Sequence, residues 1–159
     1  MNQSPLRLER YVLLAIKLEP APNSEPTESG FQVDFDKADF RVGVNFSPIE
    51  ISAGETRFAV DLTLEAKPKA ETVGFSYNFF LQMIGFFDGQ RIPEDKRNEL
   101  VIVNGASMLY SAARELLLGL SARAIGGTVL LPSLSFAYLA KQVRQKALRN
   151  EDDPEASSE

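Results

Sequence analysis

The stretch that decides the fold runs from Asn104 to Phe136 and reads NGASMLYSAARELLLGLSARAIGGTVLLPSLSF. At about 100° per residue, its first part forms a helix with a broad apolar stripe. That stripe consists of Leu109, Ala112, Ala113, Leu116, Leu117, Leu120 and Ala124. A Gly-Gly break and an extended apolar run ending at Pro132 follow the helix. The pattern therefore predicts a long buried helix, followed by a break and an extended apolar run.

The opposite side of this helix is unusual for a surface helix. It carries small residues and one leucine: Ser107, Ser111, Leu118 and Ala122. An ordinary surface helix has a solvated, charged back, whereas residues 107–125 contain only Arg114, Glu115 and Arg123 as charged residues. A helix that needs cover on two sides favours an oligomer interface through those four residues. The alternative is a central helix buried within one domain.

Apolar alternation upstream predicts four strands, at residues 6–19, 40–47, 58–66 and 73–87. A loop rich in Pro and Gly separates the first two strands at residues 20–36, and Pro48 marks an edge position or a bulge in the second. The alternation in the first strand places one set of residues on a common face. That set is Leu6, Leu8, Val12, Leu14, Ile16 and Leu18.

Pro93 suits the first turn of a helix that breaks near residues 104–105 and resumes to about Ile125. Ser133 or Ser135 then caps a last helix that runs to about Arg149. The expected fold is α+β, a four-stranded antiparallel sheet with a long helix and a C-terminal helix on one face. Residues 1–149 form one domain, and residues 150–159, NEDDPEASSE, form a disordered acidic tail.

Composition excludes several classes of function. The chain has no Cys and no His, which removes disulfides, thiol chemistry and histidine acid–base catalysis. Its net charge of −5 argues against nucleic-acid binding, which needs a basic patch. There is no transmembrane run and no secretory signal, so we expect a cytoplasmic protein without membrane insertion.

The sequence shows no catalytic constellation, so we expect a protein that is not an enzyme. It has no G-x-S-x-G or Ser-x-x-Lys catalytic motif. Gly126-Gly127 lacks the residues of a phosphate-binding loop. Asp34, Asp36 and Asp39 have calcium-like spacing, but neither the required Gly nor the closing Glu follows them. We therefore expect no cofactor and no metal.

Exposed aromatic residues offer a different function. Phe31 and Phe35 lie in or beside the Pro-rich loop, and Phe79, Phe80, Phe86 and Phe87 cluster at the end of the fourth strand. Aromatic residues that border a loop can form an apolar groove that holds extended polypeptide. The alternative is that these rings fill the core between sheet and helix.

The segment YSAARELLLGLSARAIGGTVLLPSLSF, residues 110–136, resembles the distinctive segment of SecB, the tetrameric chaperone of bacterial protein export. The matching residues are Tyr110, Ala113-Arg114-Glu115, Ala122-Arg123, Leu130, Leu131, Pro132, Ser135 and Phe136. Over residues 5–148 the resemblance extends to the order and length of the elements. It implies a chaperone and a homo-oligomer, a tetramer or a dimer, since the long helix forms the dimer-of-dimers interface in that family. We expect the chaperone to work without ATP, because the sequence has no nucleotide-binding motif.

The resemblance also implies where clients bind. In that family the crossover loop and the last helix, here residues 20–36 and 133–149, flank a groove for unfolded polypeptide. With the aromatic residues above, this gives a candidate client-binding set. Its members are Phe31, Phe35, Phe86, Phe87, Tyr138, Leu139 and Val143.

SecA, the export motor, docks on SecB through acidic residues near the end of the first strand and an apolar–acidic pair on the outer sheet face. Here Glu19 matches one acidic position, but Ala15 replaces another, and Phe75 and Tyr77 occupy the apolar–acidic pair. The resemblance therefore implies client binding more strongly than SecA as a partner. A SecB-like chaperone dedicated to a toxin–antitoxin pair, a phage-encoded variant, a small-ligand carrier on an α+β sheet and a structural subunit of a larger assembly remain as alternatives.

Overall fold

The computed structural model describes residues 4–22, 32–52, 55–69, 74–124 and 126–152, with side chains up to residue 146. It contains four strands and two long helices, as the sequence predicts. Their bounds are β1 (Arg7–Pro20), β2 (Ala38–Ser52), β3 (Glu55–Pro68), β4 (Tyr77–Asp88), α1 (Glu94–Ser121) and α2 (Tyr138–Asp152), with a short 3-10 turn at Phe35–Lys37. The predicted α+β fold with a four-stranded antiparallel sheet is confirmed.

The strands lie in the order β1-β4-β3-β2, all antiparallel, so β1 and β2 form the edges of the sheet within the described residues. In β4 the odd-numbered residues are buried and the even-numbered ones half-buried. Helix α1 packs on β3 and β4. We call the buried side the helix-facing face and the other side the outer face. The core lies between the helix-facing face and α1, around Val60, Leu62, Met83 and Leu109.

Strand β1 does not keep its predicted apolar residues on one face. Its pairing with β4 shifts between Leu8 and Arg10 and again between Leu13 and Ala15. Each shift is a bulge, which adds one residue and reverses the alternation that follows. Tyr11 and Leu13, opposite Gly85 and Met83, therefore face the helix side, while Val12 lies opposite Ile84 on the outer face. The single-face prediction is wrong at Val12 because of the first bulge, and Leu14 is the extra residue of the second.

Helix α1 is continuous from Glu94 to Ser121, so the predicted break near Gly105 is wrong. A Cβ at Gly105 would come within 2.9 Å of Val60 Cγ2 and 3.3 Å of the Phe87 ring. The residue is therefore a point of close approach between helix and sheet, and tertiary packing outweighs the low helix propensity of glycine. The helix also ends earlier than the predicted Ile125.

Helix α2 packs against α1. Arg144 forms a two-pronged ion pair with Glu99 of α1, in which Arg144 Nη2 donates to Glu99 Oε2 over 2.6 Å and Arg144 Nε donates to Glu99 Oε1. The helix runs to Asp152, past the predicted end at Arg149. Residues 153–159 of the predicted tail, the tip of the predicted turn at residues 53–54, and Val73 lie outside the described residues. Neither helix of the described chain combines the length and apolarity needed to cross a bilayer.

Candidate functional site

The segment that follows α1 is held by a buried serine. Ser121, the last residue of the helix, donates its hydroxyl to the Leu117 carbonyl over 2.7 Å and accepts the Val129 amide over 2.7 Å. Gly127 has a φ of 90°, a conformation that glycine adopts without strain. Tyr77 donates its hydroxyl to the Gly127 carbonyl over 2.9 Å. These bonds direct residues 128–136 back across the molecule as an extended segment, which we call the return segment.

The crossover segment before β2 docks on this return segment. Gln32 and Thr128 form an isolated parallel bridge, and the Val33 amide donates to the Thr128 carbonyl over 3.0 Å. The side chain of Asp34 then accepts the Asp36 amide over 2.9 Å, which caps the 3-10 turn. Two segments about a hundred residues apart in sequence are thereby brought side by side.

A cavity of about 300 Å³ lies where these segments meet. Its lining consists of residues 32–36 on one side and Leu130 and Pro132 on the other. Phe35 forms part of its wall and is half-buried. The Phe35 ring makes edge contacts with the rings of Phe40 and Phe75, at centroid distances of 5.1 and 5.2 Å. These contacts hold the Phe35 ring against two other aromatic rings.

Two exposed apolar residues follow the cavity along the chain, and two carboxylates line it, with the Lys69 ammonium donating to the Asp36 carbonyl over 2.9 Å. Leu134 and Tyr138 are 43% and 47% exposed and follow Pro132 closely along the chain. Asp34 and Asp36 are exposed at the opposite side of the cavity. We call the cavity together with Leu134 and Tyr138 the groove.

Tyr110 connects α1 to the wall of the groove. Its hydroxyl donates to the Pro132 carbonyl over 2.7 Å, and its ring contacts the Phe136 ring edge-on at 5.5 Å. Burial raises the pKa of Tyr110 to about 12, although Arg114 nearby acts in the opposite direction. The phenol therefore stays protonated and keeps donating this bond throughout the physiological range.

The structure brings some of the predicted client-binding residues to the groove and leaves others elsewhere. Phe35 and Tyr138 lie at the groove, whereas Phe31 lies outside the described residues. Phe86 is on the outer face, where the Arg10 guanidinium stands 4.9 Å from its ring centroid. Phe87 faces the helix and is fully buried. Adjacent residues of a strand point to opposite faces, so these two phenylalanines cannot serve one common site.

The two remaining predicted residues are both on α2. Leu139 is buried in the core, and Val143 is half-buried against it. Together they form the inner side of α2, so they fasten the helix rather than offer surface to a client.

Sequence reasoning missed several residues that line or border the groove: Val33, Leu130, Pro132 and Leu134. The sequence of the return segment did indicate an exposed apolar position, because Leu130 and Leu131 adjoin a proline that cannot donate a backbone hydrogen bond. In an extended segment neighbouring side chains point to opposite sides. Leu131 is buried, so Leu130 faces the cavity.

The predicted oligomer face of α1 points away from the sheet. Ser107, Ser111 and Ala122 are exposed, and Leu118 is half-buried. Both serine hydroxyls donate to carbonyls of their own helix, Val103 for Ser107 at 2.8 Å and Ser107 for Ser111 at 2.9 Å. A second chain could therefore cover this face without leaving these hydroxyl donors unsatisfied. The interface itself stays a prediction.

The residues aligned with the SecA-docking pair do not lie where that alignment requires. Phe75 and Tyr77 are 1% and 2% exposed, and Tyr77 faces the helix side, so neither is on the outer face. Glu19 does lie on an exposed part of β1, where it pairs with Lys17 at 3.0 Å. The expected position of the apolar–acidic pair is thus wrong, because β4 begins at Tyr77 with that side chain turned inward.

No family model matches this chain, and no curated protein matches it. Among solved structures, it is similar to the SecB-like chaperone Rv1957 of Mycobacterium tuberculosis in complex with a ChAD peptide from the Rv1956 HigA1 antitoxin. The sequence identity is 14% and the TM-score 0.45, over 82% of this chain and 91% of that one.

Proposed function

We propose that this protein is a SecB-like chaperone that holds unfolded polypeptide segments in the groove without ATP. The observation that carries the proposal is the meeting of Phe35 with Leu130 and Pro132 across a cavity that Gln32, Asp34 and Asp36 also line. The exposed side chains of Leu134 and Tyr138 follow closely along the chain. Removing apolar side chains from water contributes roughly 25 cal/mol per Å². A client segment with several such side chains would bind with little dependence on its sequence.

The chaperone acts as a homo-oligomer in this proposal, with the outward face of α1 covered by another copy. Tetramers would bring several grooves into one particle, and a single long client could then occupy more than one of them. Linked sites of this kind raise the overall affinity without any new contact. A chaperone for protein export would need to bind many different clients. A chaperone for one toxin–antitoxin pair would need to bind a single client.

The experiment is suppression of aggregation by the wild-type protein and by Phe35→Ser, measured with several chemically denatured proteins. We expect wild type to suppress aggregation and Phe35→Ser to lose most of that effect. Phe86→Ser is the matched control, because Phe86 is also a half-buried phenylalanine but lies on the outer face. Leu134→Ser changes an exposed residue and tests the groove with little risk to folding. Circular dichroism reports whether each variant is folded.

Each other outcome has a definite meaning. Failure of wild type with every client would overturn general chaperoning and favour a single dedicated partner. Loss of activity in Phe86→Ser, with Phe35→Ser unaffected, would place the client site on the outer face. Equal activity in all variants would remove the groove from the mechanism.

A further inference from the structure

A second cavity, of about 310 Å³, lies on the outer face of the sheet, at the end where β1 begins and β4 finishes. The strand register explains how its walls meet, because Arg10 lies opposite Phe86 and Ile49 lies opposite Arg57. All four strands contribute to the lining, which is distinct from that of the groove. Its members are Glu9, Arg10, Ile49, Ile51, Arg57 and Phe86.

Arg57 forms the charged wall of this cavity. Its Nε donates to both carboxylate oxygens of Glu9 over 3.1 Å, and its Nη2 lies 2.8 Å from Glu55 Oε1. Glu9 also pairs with Arg7 at 3.3 Å, so two arginines already balance its charge. The remaining nitrogen of Arg57, Nη1, is buried and donates to no acceptor in the described chain, with Asp88 Oδ1 at 4.0 Å. The neighbouring carboxylates therefore leave part of the donor capacity of Arg57 unused.

Arg10 is a second cation at this cavity, and no carboxylate balances it. Its guanidinium is exposed and stands 4.9 Å from the centroid of the Phe86 ring, and within the described residues it forms no ion pair. A planar guanidinium held over a ring keeps its N–H groups at its edge, in a fork that matches a carboxylate. The lining thus carries two guanidinium groups and one carboxylate, in a chain whose net charge is −5.

The opposite wall of the cavity is apolar. Ile49 is half-buried, whereas Ile51 is 60% exposed, the largest exposed fraction among the large apolar side chains of the described residues. Ile51 falls at a shift in the pairing of β2 with β3, between Glu50 and Ser52. A ligand that covers these isoleucines removes apolar surface from water, which favours binding. The cavity therefore combines an aliphatic wall with an unbalanced positive charge.

We propose that this cavity binds an aliphatic carboxylate, whose oxygens accept from Arg10 and whose carbon chain lies against Ile49, Ile51 and Phe86. The volume is near the lower end of the range for small-ligand sites, roughly 300–1,000 Å³, so the ligand is small. An inorganic phosphate would leave the isoleucines uncovered, and a neutral apolar group would leave Arg10 without an acceptor. The inference does not rest on the proposed chaperone function.

Two sources offer the same chemistry. One is a free short-chain acid, and the other is the C-terminal residue of a polypeptide that ends in an aliphatic side chain. A peptide ending in Gly-Ile with a free carboxylate, compared with hexanoate, distinguishes them. Tighter binding of the peptide would support a chain end as the ligand, and tighter binding of hexanoate would support a free acid.

The direct test is a titration of the full-length wild-type protein with hexanoate, followed through its backbone amide signals in nuclear magnetic resonance spectra. We expect saturable shifts at Glu9, Ile51 and Arg57. Hexanamide has the same carbon chain without the charge. It should bind at least roughly tenfold more weakly, because hydrogen bonds between two charged groups are about twice as strong as neutral ones.

Matched variants separate the two walls of the cavity. Arg10→Gln should weaken hexanoate binding roughly tenfold, while Arg10→Lys should retain part of the affinity. Lys17→Gln is the control, because Lys17 is also an exposed cation of β1 but lies opposite Phe80 at the other end of the outer face. Ile51→Ser should weaken binding too, whereas Leu120→Ser, at a 47% exposed position on α1, should not. Circular dichroism confirms that each variant is folded.

The inference is overturned if hexanamide binds as tightly as hexanoate, or if Arg10→Gln binds hexanoate as wild type does. Shifts confined to Phe35 and Leu134 would also overturn it, since the acid would then occupy the groove. Loss of hexanoate binding in Arg10→Gln with undiminished suppression of aggregation would support a ligand site that is independent of client binding.

Discussion

The Tyr110 hydroxyl donates to the Pro132 carbonyl over 2.7 Å, which ties the middle of α1 to the wall of the groove. A second hydrogen bond joins helix and return segment near the end of the helix, from the Val129 amide to the Ser121 hydroxyl. The two bonds together hold the return segment at two points. They make the shape of the groove depend on the packing of α1.

Replacing Tyr110 by Phe removes this bond and keeps the ring contact with Phe136. We expect a loss of about 1–2 kcal/mol in the free energy of unfolding, because the Pro132 carbonyl loses its donor. Urea denaturation measures the loss. Tyr11→Phe is the control, since Tyr11 is 51% exposed and its change should leave stability nearly unaffected. Equal effects of the two changes would contradict a structural role for the bond.

The same phenol predicts a stability change at alkaline pH. Its pKa is about 12 in the folded protein against an ordinary value of 10.0, so its contribution is fully present below pH 10. The contribution is lost as the pH rises from about 10 to 12, because only the unfolded state ionises readily there. Thermal melts of wild type across this window should fall more steeply than those of Tyr110→Phe. Parallel melting curves of the two proteins would contradict a contribution of Tyr110 to the alkaline loss of stability.

Ser121→Ala leaves the buried Val129 amide without its acceptor. An unsatisfied buried donor costs about 1–3 kcal/mol, and we expect that loss in chemical denaturation. Ser111→Ala is a matched control, because Ser111 also bonds a carbonyl one turn back but is exposed. It should change stability by a few tenths of a kcal/mol at most. A Ser121→Ala variant as stable as wild type would mean that the return segment does not need this anchor.

The ion pair between Glu99 and Arg144 predicts acid-sensitive docking of α2. The hydrogen bonds from Arg144 lower the pKa of the Glu99 carboxyl below its ordinary 4.5. The contribution of the pair is therefore present above about pH 4.5 and is lost as the pH falls through the folded-state value. Glu99→Gln should remove this acid sensitivity and speed tryptic cleavage at Lys141 near neutral pH. Glu115→Gln, exposed on the same helix, serves as the control.

Leu118→Arg tests the proposed oligomer face of α1. A charge buried in an interface without a partner costs about 3–5 kcal/mol, so the variant should form a smaller particle by light scattering. Asn98→Arg adds the same charge on an exposed position near the start of α1 and should leave the particle unchanged. A wild-type monomer at micromolar concentration would rule out this interface.

The sequence predicts the number, order and type of the long elements because their apolar periodicity is strong. The regular alternation of residues 58–66 matches the buried pattern of β3 except at Ala59, which is buried as well. Periodicity fails in β1, since a bulge adds a residue without leaving a mark in composition. It also fails at Gly105, where glycine reads as a helix break but is required for contact with Val60.

The groove was only partly predictable for a related reason. Phe35 was recognisable as an aromatic residue beside a loop, and its partners Leu130 and Pro132 stood in a motif of their own. The sequence pattern of neither segment predicts that the amide of Val33 donates to the carbonyl of Thr128. A contact between distant segments depends on the packing of the whole fold. The same dependence placed Phe87 in the core, although its neighbour Phe86 reaches the outer face.

Each of the two bulges gives β1 one residue more than its pairing with β4 requires. Glu9 and Leu14 are extra residues relative to β4, so deleting either one would restore regular pairing and leave every other side chain on its present face. Strand β3 has no such reserve in its pairing with β4, which runs without a shift from Phe58 to Ala66. One residue lost from β3 would turn part of its core face outward. Deletion of Leu14 should therefore be tolerated better than deletion of a residue from β3. Loss of Glu9 would also remove its ion pair with Arg57 at 3.1 Å.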